Sequence, residues 1–358
     1  MSTSMKRPSS PLLPILTALA LSVGGGFIFR LLHVPLPWML GPMFAVGVGG
    51  VAGVKVGAIR GGRQAGQLVI GCALGLYFSA DVTRQLFDYG GYIVGAAFTA
   101  ILIGAFGSVL LKRLSGMDAV TAFFASVPGG ASEMAVLAER AGARFDQVAL
   151  AHSLRVLITV SFIPIAVTLS GASGSEIFVR ATTHTDPRGL ALLIALAGAA
   201  GYVVMRARVP NAWLLGPLLV SLLLTVSNHS FSAIPQPMSN TAQLLIGCSL
   251  GARFQPRLRS ESRQLMIGII ASASLTTGLS LVMGLLIAAL SGESVATMVL
   301  ATAPGGLSEM CITAKILRLG VPLVTSFQVA RLAIVVTCSL PVWRLMQAIH
   351  ARRWRQRS

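Results

Sequence analysis

The chain has 358 residues, 54% of them hydrophobic and only 11% charged, with a net charge of +17. A soluble globular domain carries about twice that charged fraction, so composition excludes a water-soluble fold and suits one membrane-embedded bundle. The positives fall in twos and threes between apolar runs, which argues against direct nucleic-acid binding and for membrane orientation, with anionic lipids as partners.

In chain order, Lys6 and Arg7 precede the apolar run Pro11–Leu32. That run is too long for the core of a secretory signal and has no clear small-residue cleavage site, so it reads as a first helix with a cytoplasmic start. Five more apolar stretches follow, at about 37–57, 65–80, 90–111, 119–139 and 146–170. The least apolar long connection, Gly171–Arg188, leads to six others at about 189–206, 211–229, 239–254, 264–290, 294–316 and 322–347. The tail carries Arg352, Arg353, Arg355 and Arg357. The expected division is an N-terminal membrane repeat over 1–170, a linker over 171–188 and a C-terminal membrane repeat over 189–358.

The two halves align at an offset of 175–176 residues. PWMLGP (Pro37–Pro42) meets AWLLGP (Ala212–Pro217), and QLVIGCALGLYF (Gln67–Phe78) meets QLLIGCSLGARF (Gln243–Phe254). SVPGGASEM (Ser126–Met134) meets TAPGGLSEM (Thr302–Met310), and HSLR (His152–Arg155) meets QVAR (Gln328–Arg331). If all twelve stretches cross the bilayer, Lys and Arg divide almost evenly between its sides. If each PGG stretch enters and returns, most of them fall inside and only Lys315 and Arg318 sit badly. The expected fold is therefore an all-α polytopic membrane protein of 10–12 segments. It has two inverted repeats of about five crossings each, plus a broken or re-entrant PGG helix per repeat, an arrangement typical of secondary transporters.

Proline removes a backbone donor and glycine removes the side chain. Unpaired peptide groups at bilayer depth survive only inside protein or beside a polar cavity. Pro128, Gly129, Gly130 and Pro304, Gly305, Gly306 thus mark two interior sites. Ser132 and Ser308 follow where a restarting helix offers free N–H groups and partial positive charge. Of eleven acidic residues, only Glu133 and Glu309 lie well inside apolar stretches. An ionisable group there is a functional candidate, for a coupling proton or Na⁺. Arg155 and Arg331 are the available cations, either bridging these acids or gripping the substrate. His152 and Gln328 stand three residues before them, on the same helical face, and are candidates for the cavity wall.

Gly71/Gly75 and Gly247/Gly251 have the spacing that allows close helix packing. Trp38 and Trp213 read as interface anchors. Cys72, Cys248, Cys311 and Cys338 form no CxxC pair, and the five histidines show no metal-ligand spacing, so no metal or other cofactor is expected. Without a P-loop, nucleophile elbow or dinucleotide fingerprint, neither an enzyme nor an ATP-driven pump is expected.

The paired LGP, LGxxF, PGGxSEM and xxxR blocks resemble the membrane AbrB duplication family over nearly the whole chain. That family carries labels of gene-expression regulator and ammonia monooxygenase. The residues hold no DNA-binding or receiver module and no metal or flavin site to match them. More distantly, LGLYFSADV, a long apolar helix and then PGGASEMAVLAERAG are similar in order to the bile acid/sodium symporter and cation–proton antiporter group. That resemblance implies crossed discontinuous helices, with the substrate and ion site on Pro128, Gly129, Gly130, Ser132, Glu133 and on Pro304, Gly305, Gly306, Ser308, Glu309. The chain departs from the group by an extra apolar stretch per half and by a Glu after each Ser. The expectation is a cation- or proton-coupled transporter of a small polar or anionic solute in a bacterial inner membrane, both termini cytoplasmic. A homodimer is left open. The alternative is a membrane-embedded ligand sensor that regulates gene expression through a partner.

Overall fold

The computed structural model of the chain describes residues 12–172, 184–229, 231–256 and 261–355. Lys6 and Arg7, most of the 171–188 connection, Arg257, Arg259 and the side chains of the basic tail lie outside the described residues. The described chain is helical throughout, with no strand. Its first eight helices are α1 (Leu12–Leu31), α2 (Pro37–Ala52), α3 (Gly62–Gly75), α4 (Ala80–Asp88), α5 (Gly90–Ser115), α6 (Ala119–Ser126), α7 (Ala131–Arg140) and α8 (Phe145–Leu169). Seven follow: α9 (Pro187–Arg206), α10 (Ala212–Val226), α11 (Gln236–Gly251), α12 (Arg263–Ser291), α13 (Val295–Thr302), α14 (Leu307–Ile316) and α15 (Val321–Arg355).

The duplication read from the sequence reappears in the backbone. Helices α6, α7 and α8 begin at 119, 131 and 145, and α13, α14 and α15 begin at 295, 307 and 321. Even the strained residues repeat. His33 and Leu36 before α2 have φ of 53°, and their counterparts Arg208 and Asn211 before α10 have φ of 58° and 51°. Both α5 and α12 end at a left-handed glycine, Gly116 and Gly292, which closes the last turn where other residues would be strained.

Among the described residues six helices, α1, α5, α8, α9, α12 and α15, are long and apolar enough to cross a bilayer; α3 and α4 reach that length only together, bent by 89° at their junction. Their outward faces carry side chains such as Leu102, Phe106 and Phe162, each more than 60% exposed, where a soluble protein would place charge. The chain is an all-helical polytopic membrane protein. Helices α2, α10 and α11, at 15–16 residues, are shorter than the ~20 residues a full crossing needs. The PGG stretches are shorter still, each divided into helices of 8 and 10 residues.

The chain forms two compact units. One comprises residues 1–67 and 235–260. Within it, α1 and α11 pack on α2. Gly251 lies against the Met43 carbonyl, where a Cβ would meet oxygen at 2.6 Å, and Gly247 lies closer still to the Met39 carbonyl. Only glycine lets these backbones touch. Trp38 lays its ring over Gly26 of α1.

The other unit comprises residues 68–234 and 261–358. Here Gly71 and Gly75 press on α10 at the Leu214 and Leu218 carbonyls, repeating the α11–α2 contact with the halves exchanged. Helices α5 and α12 pack along each other, α15 packs on α5, and α8 packs on α12. Each long helix thus receives the last helix of the other repeat. The short PGG helices lie between them, α6 on α5 and α8, α13 on α12 and α15. Phe123 of α6 stacks near Trp343 of α15, with ring centroids 5.2 Å apart. Where α4 meets α5, the Tyr89 hydroxyl donates to Glu293 Oε1 at 2.5 Å. That bond, with burial second, pushes the phenol up to about 12.

Candidate functional site at two broken helices

Each PGG segment interrupts a helix completely. Helix α6 stops at Ser126 and α7 restarts after Gly130; α13 stops at Thr302 and α14 restarts after Gly306. Gly130 and Gly306 have φ of −67° and −73°, values any residue adopts. The glycines are there for space. A Cβ on Gly130 would collide with the Glu133 carboxylate, and one on Gly306 with that of Glu309. A Cβ on Gly129 would strike Met134, and one on Gly305 would meet Met310 Cε at 2.8 Å. The motif PGGxSEM is therefore a packing unit: its first glycine admits the methionine and its second admits the glutamate. The repeated Met was the signal for this contact, and neither Met134 nor Met310 stood among the expected site residues.

Each half-helix meets charge suited to its dipole. The glutamates sit at the third helical position, folded back over the positive N-terminal ends of α7 and α14. The arginines serve the negative C-terminal ends of α6 and α13. Arg155 donates through Nη1 to the Ser126 and Val127 carbonyls at 3.2 and 3.4 Å, and through Nη2 to the Gly129 carbonyl at 3.4 Å. Arg331 donates to the Ala303 carbonyl and, at 3.2 Å, to that of Gly305. Arg155 also reaches across: its Nε donates to the Pro304 carbonyl at 3.3 Å, so one side chain holds both breaks together. Among the described residues neither guanidinium pairs with Glu133 or Glu309. Carbonyls exposed by the missing helical turn compete for every donor in reach.

His152 and Gln328 are fully buried and play one part. Gln328 Oε1 accepts from Arg331 Nη2 at 2.6 Å, and its Nε2 donates to the Leu300 carbonyl at 2.8 Å. His152 Nδ1 lies 2.8 Å from Arg155 Nη2, and its Nε2 lies 2.9 Å from the Phe124 carbonyl. Because the guanidinium only donates, Nδ1 accepts and the ring proton sits on Nε2, a neutral tautomer assigned from its partners. These bonds place both residues behind the arginines.

Hydroxyls at the first motif position anchor both breaks to α12. Ser126 Oγ lies 3.2 Å from Ser272 Oγ, and Thr302 Oγ1 donates to the Ser280 carbonyl at 3.0 Å. A small cavity, room for about one water, adjoins Arg155 and is lined by Ser126, Ser272 and Thr276. At the start of α6, the Asp118 carboxylate accepts from Thr121 N and Oγ1 at 2.8 and 2.6 Å. Burial raises its pKa, but these bonds outweigh it and hold the group below its ordinary value.

The halves differ in exposure. Ser132 is exposed and Glu133 half-buried, whereas Ser308 and Glu309 are 2% and 1% exposed. Ser308 Oγ donates to Glu309 Oε2 at 3.0 Å. Glu309 Oε1 and Arg331 Nε are buried with no partner among the described residues. Such groups cost on the order of 1–3 kcal/mol each, more when charged.

This doubled geometry belongs to a known sequence family. Residues 38–347 match the family described as "Transition state regulatory protein AbrB". The chain is 27% identical to "Uncharacterized protein YhjN" of Bacillus subtilis (strain 168) over 367 aligned positions, covering 96% of this chain and 95% of that one. It is 26% identical to "Putative regulator AbrB" of Escherichia coli (strain K12) over 321 positions, covering 88% and 90%. None of these names is that of an enzyme. With the match running from before the first repeat's LGP block to beyond the second repeat's Arg331, the chain belongs to the AbrB family.

Proposed function

We propose that the protein is a secondary transporter of a small anionic or polar solute, working by alternating access in a bacterial cell membrane with both termini cytoplasmic. The observation that carries this reading is the meeting of two broken helices at Arg155, with unpaired polar groups beside them. Irregular backbone at bilayer depth serves where a polar solute replaces the missing partners. The amides of Gly130, Gly305 and Gly306 and the hydroxyls of Ser132 and Ser308 face the solute. Glu133 and Glu309 take up the coupling H⁺ or Na⁺. Arg155 and Arg331, braced by His152 and Gln328, supply positive charge. Flux into liposomes containing the purified protein tests the reading. Transport is expected to disappear in Glu133→Gln and Glu309→Gln while the protein stays folded; normal flux in both variants removes the coupling roles.

A ligand sensor acting on gene expression through a partner is the second reading. The word "regulator" in the name of the Escherichia coli relative favours it. It predicts saturable binding to the same site with no flux.

A further inference from the structure

Arg155 and Arg331 are 2% and 7% exposed, and all their hydrogen-bond acceptors are neutral: carbonyls, the Gln328 amide and the His152 ring. Burying two like charges without counter-ions is costly, and the N-terminal end of α14 adds positive potential. Into this region the chain sends one fully buried carboxylate. Glu309 lies over Gly306, one oxygen held by Ser308 Oγ and the other unpartnered. Arg331 Nε is an unpartnered donor on the guanidinium that grips Ala303 and Gly305. The start of α14 thus already holds one carboxylate, the protein's own, on a helix packed against the one that carries Arg331. The helices packed on α14 are α15, which carries Arg331, α8, which carries Arg155 and His152, and α13, which has no charged or titratable residue; α14 itself carries Cys311 beside Glu309 and Lys315 in its last turn.

We propose, building on the transport reading, that the solute is a small monocarboxylate that takes the place of the Glu309 carboxylate at the start of α14. Glu309 accepts one proton from water on its free oxygen as the solute binds. The local charge is the same before and after: two guanidinium groups and one carboxylate. One anion and one proton therefore travel together, and the loaded and empty sites carry equal charge.

The test is calorimetric titration of the full-length protein in detergent with sodium acetate, and with formate and lactate, against sodium chloride. Two buffers of different ionisation enthalpy count the protons. The expected result is saturable carboxylate binding with uptake of about one proton per anion near neutral pH, and binding that weakens about tenfold per pH unit above it. Glu309→Gln, which keeps the shape, is expected to bind without proton uptake and without that pH dependence. Failure of all three carboxylates to bind beyond chloride overturns the proposal. So does wild-type binding with no proton uptake, a measurement that needs no variant, or full uptake by the Gln variant. Proton-linked binding without liposome flux would end the transport reading and leave the carboxylate site standing. Flux without proton-linked carboxylate binding would do the reverse.

Discussion

At the scale of residues, the PGGxSEM motif is explained by two contacts, Met on the first glycine and Glu on the second. The contact between Gly306 and Glu309 makes a sharp prediction. Gly306→Ala is expected to destabilise the protein, and the loss is expected to shrink when Glu309 is also Ala. A double-mutant cycle in thermal unfolding should return a coupling of about 0.5–3 kcal/mol; no coupling would mean that the close approach carries no energy. His152 offers a second test, because Gln328 already performs its role in the other repeat. His152→Gln should keep wild-type stability, whereas His152→Leu leaves an Arg155 donor and the Phe124 carbonyl unpaired and should cost about 1–3 kcal/mol. The doubled motif made the broken segments, the two glutamates and the arginines legible before any coordinates. It did not tell where the arginines point. A Glu and an Arg in apolar stretches suggest an ion pair, but the carbonyls laid bare at Ser126, Val127, Ala303 and Gly305 take the guanidinium donors instead.

At the scale of elements, half-helices α6 and α13 are too short to be stable alone, since isolated helices below about 12–15 residues are marginal. They depend on caps and on neighbours. Asp118 caps α6, and Thr121 in turn accepts from the Arg144 amide at 3.1 Å, which ties the start of α6 to the start of α8. At the equivalent place Ser294 precedes α13 without a side-chain capping bond, and Thr297 accepts from the Gly320 amide at 3.3 Å. Asp118→Ala is expected to cost about 1 kcal/mol. Because the folded carboxyl has the lower pKa, its stabilisation is fully present above the unfolded value and is lost as pH falls through the folded one. The difference in melting temperature between wild type and Asp118→Ala should therefore close on acidification below pH ~4. A constant difference would assign the effect to something other than the ionised cap. The long helices could be read from hydropathy alone. The 89° bend between α3 and α4 could not, because LGLYFSAD carries neither proline nor a charged break inside the apolar run. The unequal burial of Ser132/Glu133 and Ser308/Glu309 is likewise invisible in two nearly identical strings.

At the scale of the whole molecule, each compact unit is built from both repeats. In the first, α11 from the second repeat lies on α2 from the first; in the second, α12 and α15 from one repeat lock onto α5 and α8 from the other. The Gly71/Gly75 face of the first half and the Gly247/Gly251 face of the second are each buried against the other half. Severing the chain after Ala172 should therefore give two fragments that are degraded when made singly and recover as a stable complex when made together, as shown by co-purification through a tag on one of them. Accumulation of either fragment alone in a folded, protease-resistant form would contradict this.

The packing of α2 on α11 also sets a timetable. Helix α2 ends at Ala52, and its partner begins only at Gln236. At ribosomal speeds of about 5–20 residues per second, the early helix waits on the order of 10–40 s for the surface that covers it. During that interval a short, glycine-rich segment must be retained by the insertion machinery or by lipid, and a newborn chain stalled before α11 is the form most open to quality-control proteases.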